Sequence, residues 1–155
     1  MRKSKKFKNS FFKKKPEEIE EKIDKKGRAL FQAPRGMHDI LPEDQLWWSK
    51  VRKAAEETAD FYNFSRIDTP IVENAGVFER GVGASTDIVS KEMFNLKTKG
   101  DDRLVLRPEG TASIMRAYFE NGLQAEPQPV MLYASGPVFR HDKPQRGRYR
   151  QFWQF

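Results

Sequence analysis

Apolar and polar positions change period several times along the chain, and each period predicts an element. Trp47, Val51, Ala54, Ala55, Thr58, Phe61 and Tyr62 recur at helical spacing. Pro42, Glu43 and Asp44 precede them. Proline is tolerated in a first helical turn, and acids suit the positive end of the helix dipole. A helix over 43–62 is predicted, with Trp47 on its apolar face and Trp48 free to pack elsewhere. Apolar residues at 112, 115, 118 and 119 predict a second helix over Thr111–Phe119, closing at Asn121-Gly122. Phe64–Pro70 reads as a short strand ended by proline, and Glu73–Phe78 as a helical turn. Gly81 and Gly83 flank a stretch expected to be flexible. Met93–Leu96 and Leu104–Leu106 read as strands joined by the turn Lys99-Gly100-Asp101-Asp102. Val130–His141 reads as one long strand and Arg150–Phe155 as another, with the polar loop Asp142–Tyr149 between them. Hairpins with few β-α-β crossovers predict an α+β domain on a mainly antiparallel sheet flanked by helices.

Charge divides this picture in two. The net charge of +7 sits entirely in residues 1–28, which hold 12 Lys+Arg and 5 Asp+Glu; residues 29–155 hold 17 of each. Residues 1–28 are therefore expected to be a basic, disordered extension and 29–155 a folded domain. Within the first part, residues 17–26 could form a short helix stopped by Gly27. A charge block of this kind is most simply a solvated tail, and clustered lysines also bind nucleic-acid backbones in a salt-dependent way. Phe7, Phe11 and Phe12 interleave the lysines and could add base stacking. Attraction to a membrane surface is a third reading. The sequence has no cysteine, so disulfides and thiolate metal sites are excluded. No apolar run approaches the roughly 20 residues of a membrane span, and no secretory leader is expected.

Two clusters carry candidate chemistry. In the first, Arg140 ends one strand, a cationic loop with Lys143, Arg146 and Arg148 follows, and Phe152 lies at the start of the next strand. Guanidinium forks match phosphate and carboxylate oxygens and stay charged at working pH. An aromatic face can stack on a purine. A solvated basic hairpin with one core phenylalanine would use the same residue types. In the second cluster, Leu106-Arg107-Pro108-Glu109-Gly110-Thr111 leaves a strand just before a helix. Glu109 and Thr111 could grip an ammonium group, or Thr111 could simply be the helix N-cap. His38 and His141 are too few and too far apart to argue for a metal, and no metal-ligating set is identified.

These clusters resemble one family. Phe139-Arg140-His141-Asp142 followed by Arg148-Tyr149-Arg150-Gln151-Phe152 resembles motif 2 of class II aminoacyl-tRNA synthetases. The first helix with Arg66-Ile67-Asp68-Thr69-Pro70 resembles their motif 1. Together with Arg35-Gly36-Met37-His38-Asp39 and Leu106–Thr111, the run from Arg140 to Phe152 is specifically similar to histidyl-tRNA synthetases. The resemblance covers about residues 33–155.

The resemblance implies a class II synthetase fold and the ATP-dependent activation of histidine, followed by transfer to its tRNA. It implies that Arg140 bridges the histidine carboxylate and the α-phosphate of ATP, as the catalytic residue. Glu109, Thr111, Arg140 and Gln154 would bind histidine. Arg140, Asp142, Arg148 and Phe152 would bind ATP, with Phe152 on adenine and Arg148 near the phosphates. Mg²⁺, a homodimer and a cytoplasmic location are further expectations. The family pattern has Glu where this chain has Asp142, so a direct hydrogen bond to adenine could become water-mediated. The chain stops before the family's motif 3 and anticodon-binding domain. The resemblance therefore implies a partial catalytic domain, inactive as it stands, with Phe152, Trp153 and Phe155 near an exposed strand edge. The alternative within this resemblance is the synthetase-like regulatory subunit of ATP phosphoribosyltransferase, which charges no tRNA.

Overall fold

The computed structural model describes residues 31–155. The basic extension, the short helix at 17–26 and the boundary at 28–29 lie outside the described residues. Residues Pro34–Phe155 form one compact unit.

Its first regular element is helix α1, Gln45–Phe61. Pro42–Asp44 form the turn before it, so the helix begins two residues later than its sequence signals. Its orientation differs from the prediction. The inward face is made by Trp48, Arg52, Ala55 and the buried Ala59, while Trp47, Val51, Phe61 and Tyr62 are exposed. The two stripes are one residue apart, and an aromatic pair at 47–48 marks both equally well. Trp48 turns inward because Trp153 is there to meet it, with ring centroids 6.1 Å apart.

Among the described residues, seven short strands form three small sheets. Strand β1, Ser65–Arg66, pairs in parallel with β5, Leu132–Tyr133. Strands β2 (Val72–Asn74), β4 (Leu104–Leu106) and β3 (Phe94–Asn95) form an antiparallel sheet in that spatial order. Strands β6 (Gly136–Phe139) and β7 (Gln151–Gln154) form an antiparallel hairpin, with Val138 opposite Phe152. The α+β, mainly antiparallel expectation holds, with β1–β5 as the parallel exception.

The single strand expected over Val130–His141 is two strands in different ladders, and the strand expected over Phe64–Pro70 shrinks with its partner. The break at Ala134–Ser135 adjoins Gly136-Pro137, and Arg107 packs against it. The buried Arg107 guanidinium reaches in beside Gly136, where a Cβ would lie 2.5 Å from its Nη2. It donates to the carbonyls of Pro137 at 3.0 Å and Thr69 at 2.9 Å, and to Thr69 Oγ1 at 3.0 Å. The Phe139 N–H donates to the Arg107 carbonyl at 2.9 Å, stitching β6 to the end of β4.

The segment expected to be flexible at Gly81–Gly83 is helical. Helix α2, Ala75–Phe78, continues into a π-helical turn at Glu79–Gly83, and a second such turn spans Ile88–Glu92. Glu73 belongs to β2 rather than to the helical turn. Helix α3, Thr111–Glu120, is capped at Asn121, close to where the sequence ends it. Ala75, Phe78, Val89, Val105 and Ala112 form the buried core between α2, α3 and the three-stranded sheet. Among the described residues, no helix is long and apolar enough to cross a membrane.

Candidate functional site

Strand alternation sets the site. On β7, Phe152 faces one side of the hairpin and Trp153 the other. Trp153 faces α1 and stays partly exposed, with the Arg52 guanidinium 5.7 Å from its ring. On the opposite side the Arg140 guanidinium lies 5.3 Å from the Phe152 ring. These two line a cleft of about 190 Å³ together with Asp142, Gly147, Arg148 and Tyr149. The cation and the ring therefore share one wall, as the strand–loop–strand order of the sequence predicts.

The acidic group of the loop is held from several directions. The Lys143 N–H donates to Asp142 Oδ1 at 2.6 Å, and Arg150 Nε donates to the Asp142 carbonyl at 2.9 Å. Arg148 forms an ion pair with Asp142 and lies 4.0 Å from Glu92. Arg148 and Asp142 thus face each other as an ion pair on the cleft wall.

A second set of residues sits where β4 turns into α3. Arg140 Nε donates to the Pro108 carbonyl at 2.9 Å, and the Gly110 N–H donates to Gln154 Oε1 at 2.8 Å. The hairpin therefore grasps the backbone on both sides of Glu109, which brings Arg140, Glu109 and Gln154 into one neighbourhood. Glu109 is buried, and its two carboxylate oxygens accept from the N–H groups of Thr111 and Ala112, each at 2.7 Å. The capping expectation is corrected in its agent. Gly110 is the N-cap residue and offers no side chain, so the Glu109 carboxylate caps α3. A negative group fits there because the first N–H groups are unpaired and the dipole is positive.

The predicted site residues do not all share one cavity. Glu109 and Thr111 border a cavity of about 760 Å³ between α2 and α3. Thr111 and Gln154 border a second of about 200 Å³, which Arg107 also lines. Arg140, Asp142, Arg148 and Phe152 occupy the separate cleft on the hairpin. Thr111, exposed at the start of α3, is shared by the first two. Sequence reasoning passed over Arg107 and Arg150, which reads as one more basic residue in a basic run. An arginine directly after Leu104-Val105-Leu106 was the available signal for the buried guanidinium.

Comparison with known proteins matches the same residues. A family model described as histidyl-tRNA synthetase matches residues 36–155. The histidine–tRNA ligase of Dehalococcoides mccartyi is 55% identical over 126 residues, covering 81% of this chain and 30% of that protein. Among solved structures, apo histidyl-tRNA synthetase of Staphylococcus aureus superposes with a TM-score of 0.64 at 40% identity, over 79% of this chain and 27% of the other. A Bacillus halodurans structure titled ATP phosphoribosyltransferase regulatory subunit/histidyl-tRNA synthetase gives 0.65 at 28% identity, over 81% and 31%. The chain thus spans about 30% of the length of the curated relatives it matches.

Proposed function

The chain belongs to the histidyl-tRNA synthetase family, and from that premise we propose that it carries the ATP- and histidine-binding part of a histidine–tRNA ligase. The reaction in this reading has two steps. A histidine carboxylate oxygen attacks the α-phosphorus of ATP, and the bond to pyrophosphate breaks. The resulting adenylate then passes its acyl group to the terminal ribose of the tRNA, releasing AMP.

The first step unites two anions, so it requires fixed positive charge. Arg140 is the catalytic residue in this reading. Its guanidinium bridges the carboxylate and the α-phosphate, and its stabilisation grows as charge builds at phosphorus. The observation that carries the reading is that Arg140 both flanks the Phe152 ring and is tied to the Pro108 carbonyl, one residue from Glu109. Adenine stacks on Phe152, and Arg148 leaves Asp142 for the phosphates, which frees Asp142 to face the adenine amino group. Glu109, Thr111 and Gln154 receive the histidine ammonium. In this reading Mg²⁺ enters with the nucleotide, on its phosphate oxygens, a common mode for that ion.

The exposed apolar stripe of α1, with Trp47, Val51, Phe61 and Tyr62, supports a homodimer, since a patch of that kind favours a second copy. A cytoplasmic location follows from a role in translation. The regulatory-subunit alternative is favoured only by the Bacillus halodurans likeness, and the Arg140–Phe152 pairing speaks for the ligase. Calorimetric titration of ATP into the chain and its Arg140→Ala variant tests nucleotide binding. Histidine-dependent ATP–pyrophosphate exchange, in a protein of the relatives' full length bearing these residues, separates ligase from regulator. Equal ATP binding by both forms would remove Arg140 from the scheme, and absent exchange would favour the regulator.

A further inference from the structure

The run Arg35-Gly36-Met37-His38-Asp39 contributes to the family likeness, yet the proposed reaction gives it no task. In the structure it turns tightly. The Met37 N–H donates to the Pro34 carbonyl at 2.9 Å. Gly36 sits at φ 84°, in the left-handed region that residues with a Cβ rarely adopt.

That turn is pressed against the loop of the hairpin. The Gly36 carbonyl accepts from the Arg150 N–H at 2.7 Å. A Cβ on Gly36 would stand 2.9 Å from Pro144 Cγ and 3.0 Å from Arg150 Cγ. Pro144 and Arg150 lie on either side of the segment that carries Arg146 and Arg148, so one glycine touches both flanks. The His38 ring meets the Tyr149 ring edge-on, with centroids 4.2 Å apart. Arg150 passes the restraint on through its bond to the Asp142 carbonyl.

From these contacts we propose that the Pro34–His38 turn is a strap that sets the loop between Asp142 and Arg150, and that Gly36 and His38 are positioning residues for the nucleotide. The proposal rests on the nucleotide reading of that cleft and deepens it. Neither residue touches ATP; both act through Asp142, Arg148 and Tyr149. A loop carrying Lys143, Arg146 and Arg148 repels itself and spreads over many conformations when free. Holding its flanks together before the phosphates arrive lowers the ordering cost of binding.

Limited trypsin digestion reads the strap independently of any nucleotide. Trypsin cuts after Arg146 and Arg148, and cutting after the exposed Lys99, in the β3–β4 turn, is the internal control. Gly36→Ala and His38→Ala are expected to speed loop cleavage roughly tenfold relative to Lys99, because local opening governs such cutting. ATP affinity, measured by calorimetry, is expected to fall by about tenfold, the scale of a misplaced binding group. His38→Phe keeps a ring against Tyr149 and is expected to restore both. Should Gly36→Ala fail to fold, the two His38 variants decide, because they leave the backbone turn intact. Unchanged cleavage ratios in folded variants overturn the strap. Faster cleavage with undiminished ATP affinity overturns the positioning role. ATP that fails to bind the unsubstituted chain refutes the nucleotide reading and the positioning role with it, while the cleavage ratios still decide the strap.

Discussion

Arg107→Met is the substitution whose cost follows most directly from the coordinates. Arg107 is 7% exposed, and its guanidinium has no carboxylate in hydrogen-bonding reach; its three acceptors are the carbonyls of Thr69 and Pro137 and the Thr69 hydroxyl. Burial pushes its pKa down from the ordinary value, with Asp68 opposing, yet an arginine remains charged at working pH. Hydrogen bonds from a charged donor contribute about 1.5–3 kcal/mol each, and the relief of burying a cation offsets part of the sum. A net loss of about 3 kcal/mol is expected, or roughly 10 °C in the thermal midpoint for a domain of this size. Gly136→Ala attacks the same clamp from the other side, since its Cβ would meet Arg107 Nη2 at 2.5 Å. The far end of a flexible side chain normally yields cheaply, but three hydrogen bonds pin this one, so overpacking should cost about 1–3 kcal/mol. With Met at 107 the new methyl group meets no pinned guanidinium, and its cost should fall below about 0.5 kcal/mol. Circular-dichroism melts of the two single variants and the double variant form a complete cycle. Additive losses, or a midpoint for Arg107→Met within about 2 °C of the unsubstituted chain, would refute the reasoning.

Three further outcomes are expected. Trp48→Ala should lower stability by about 2 kcal/mol in urea unfolding because it empties the space against Trp153, whereas Trp47→Ala should cost under about 0.5 kcal/mol and instead reduce self-association in sedimentation. Glu109→Ala should cost about 1–2 kcal/mol by uncapping α3, with loss of helical ellipticity before the main transition as the signature. Arg140→Ala should abolish adenylate formation in the exchange assay while shifting the melt by no more than a few degrees, because only one hydrogen bond, to the Pro108 carbonyl, is lost with it.

The helices and the hairpins were legible because each is written in a local period. Helix α3 was read to within a residue at its C-terminal end. The hairpin was read with Arg140 at the end of one strand and Phe152 on the next, and the fold brings the two to one cleft. Much of what escaped depends on partners distant in sequence. The run from Val130 to His141 does hold a local break signal, Ser135-Gly136-Pro137, which reading it as one strand passed over; the fold adds Arg107, some 30 residues away, whose guanidinium bonds the Pro137 carbonyl. The inward stripe of α1 was assigned one residue off because only Trp153 distinguishes Trp48 from Trp47. Glu109 was expected at the start of α3, but its role as the cap depends on the backbone angle at Gly110, which side-chain type does not report. The candidate site residues were chosen by motif, and their distribution over three cavities required the fold.

Phe152 and Trp153 are consecutive, one facing the cleft and the other held between Trp48 and Arg52. A one-residue slide of β7 along β6 would exchange every side chain between the two faces, turning the phenyl ring toward the helix and the larger indole into the cleft. The aromatic contact behind the hairpin therefore acts as a detent against that slide. A substitution at Trp48, remote from any ligand, would be felt as a change in which ring greets it.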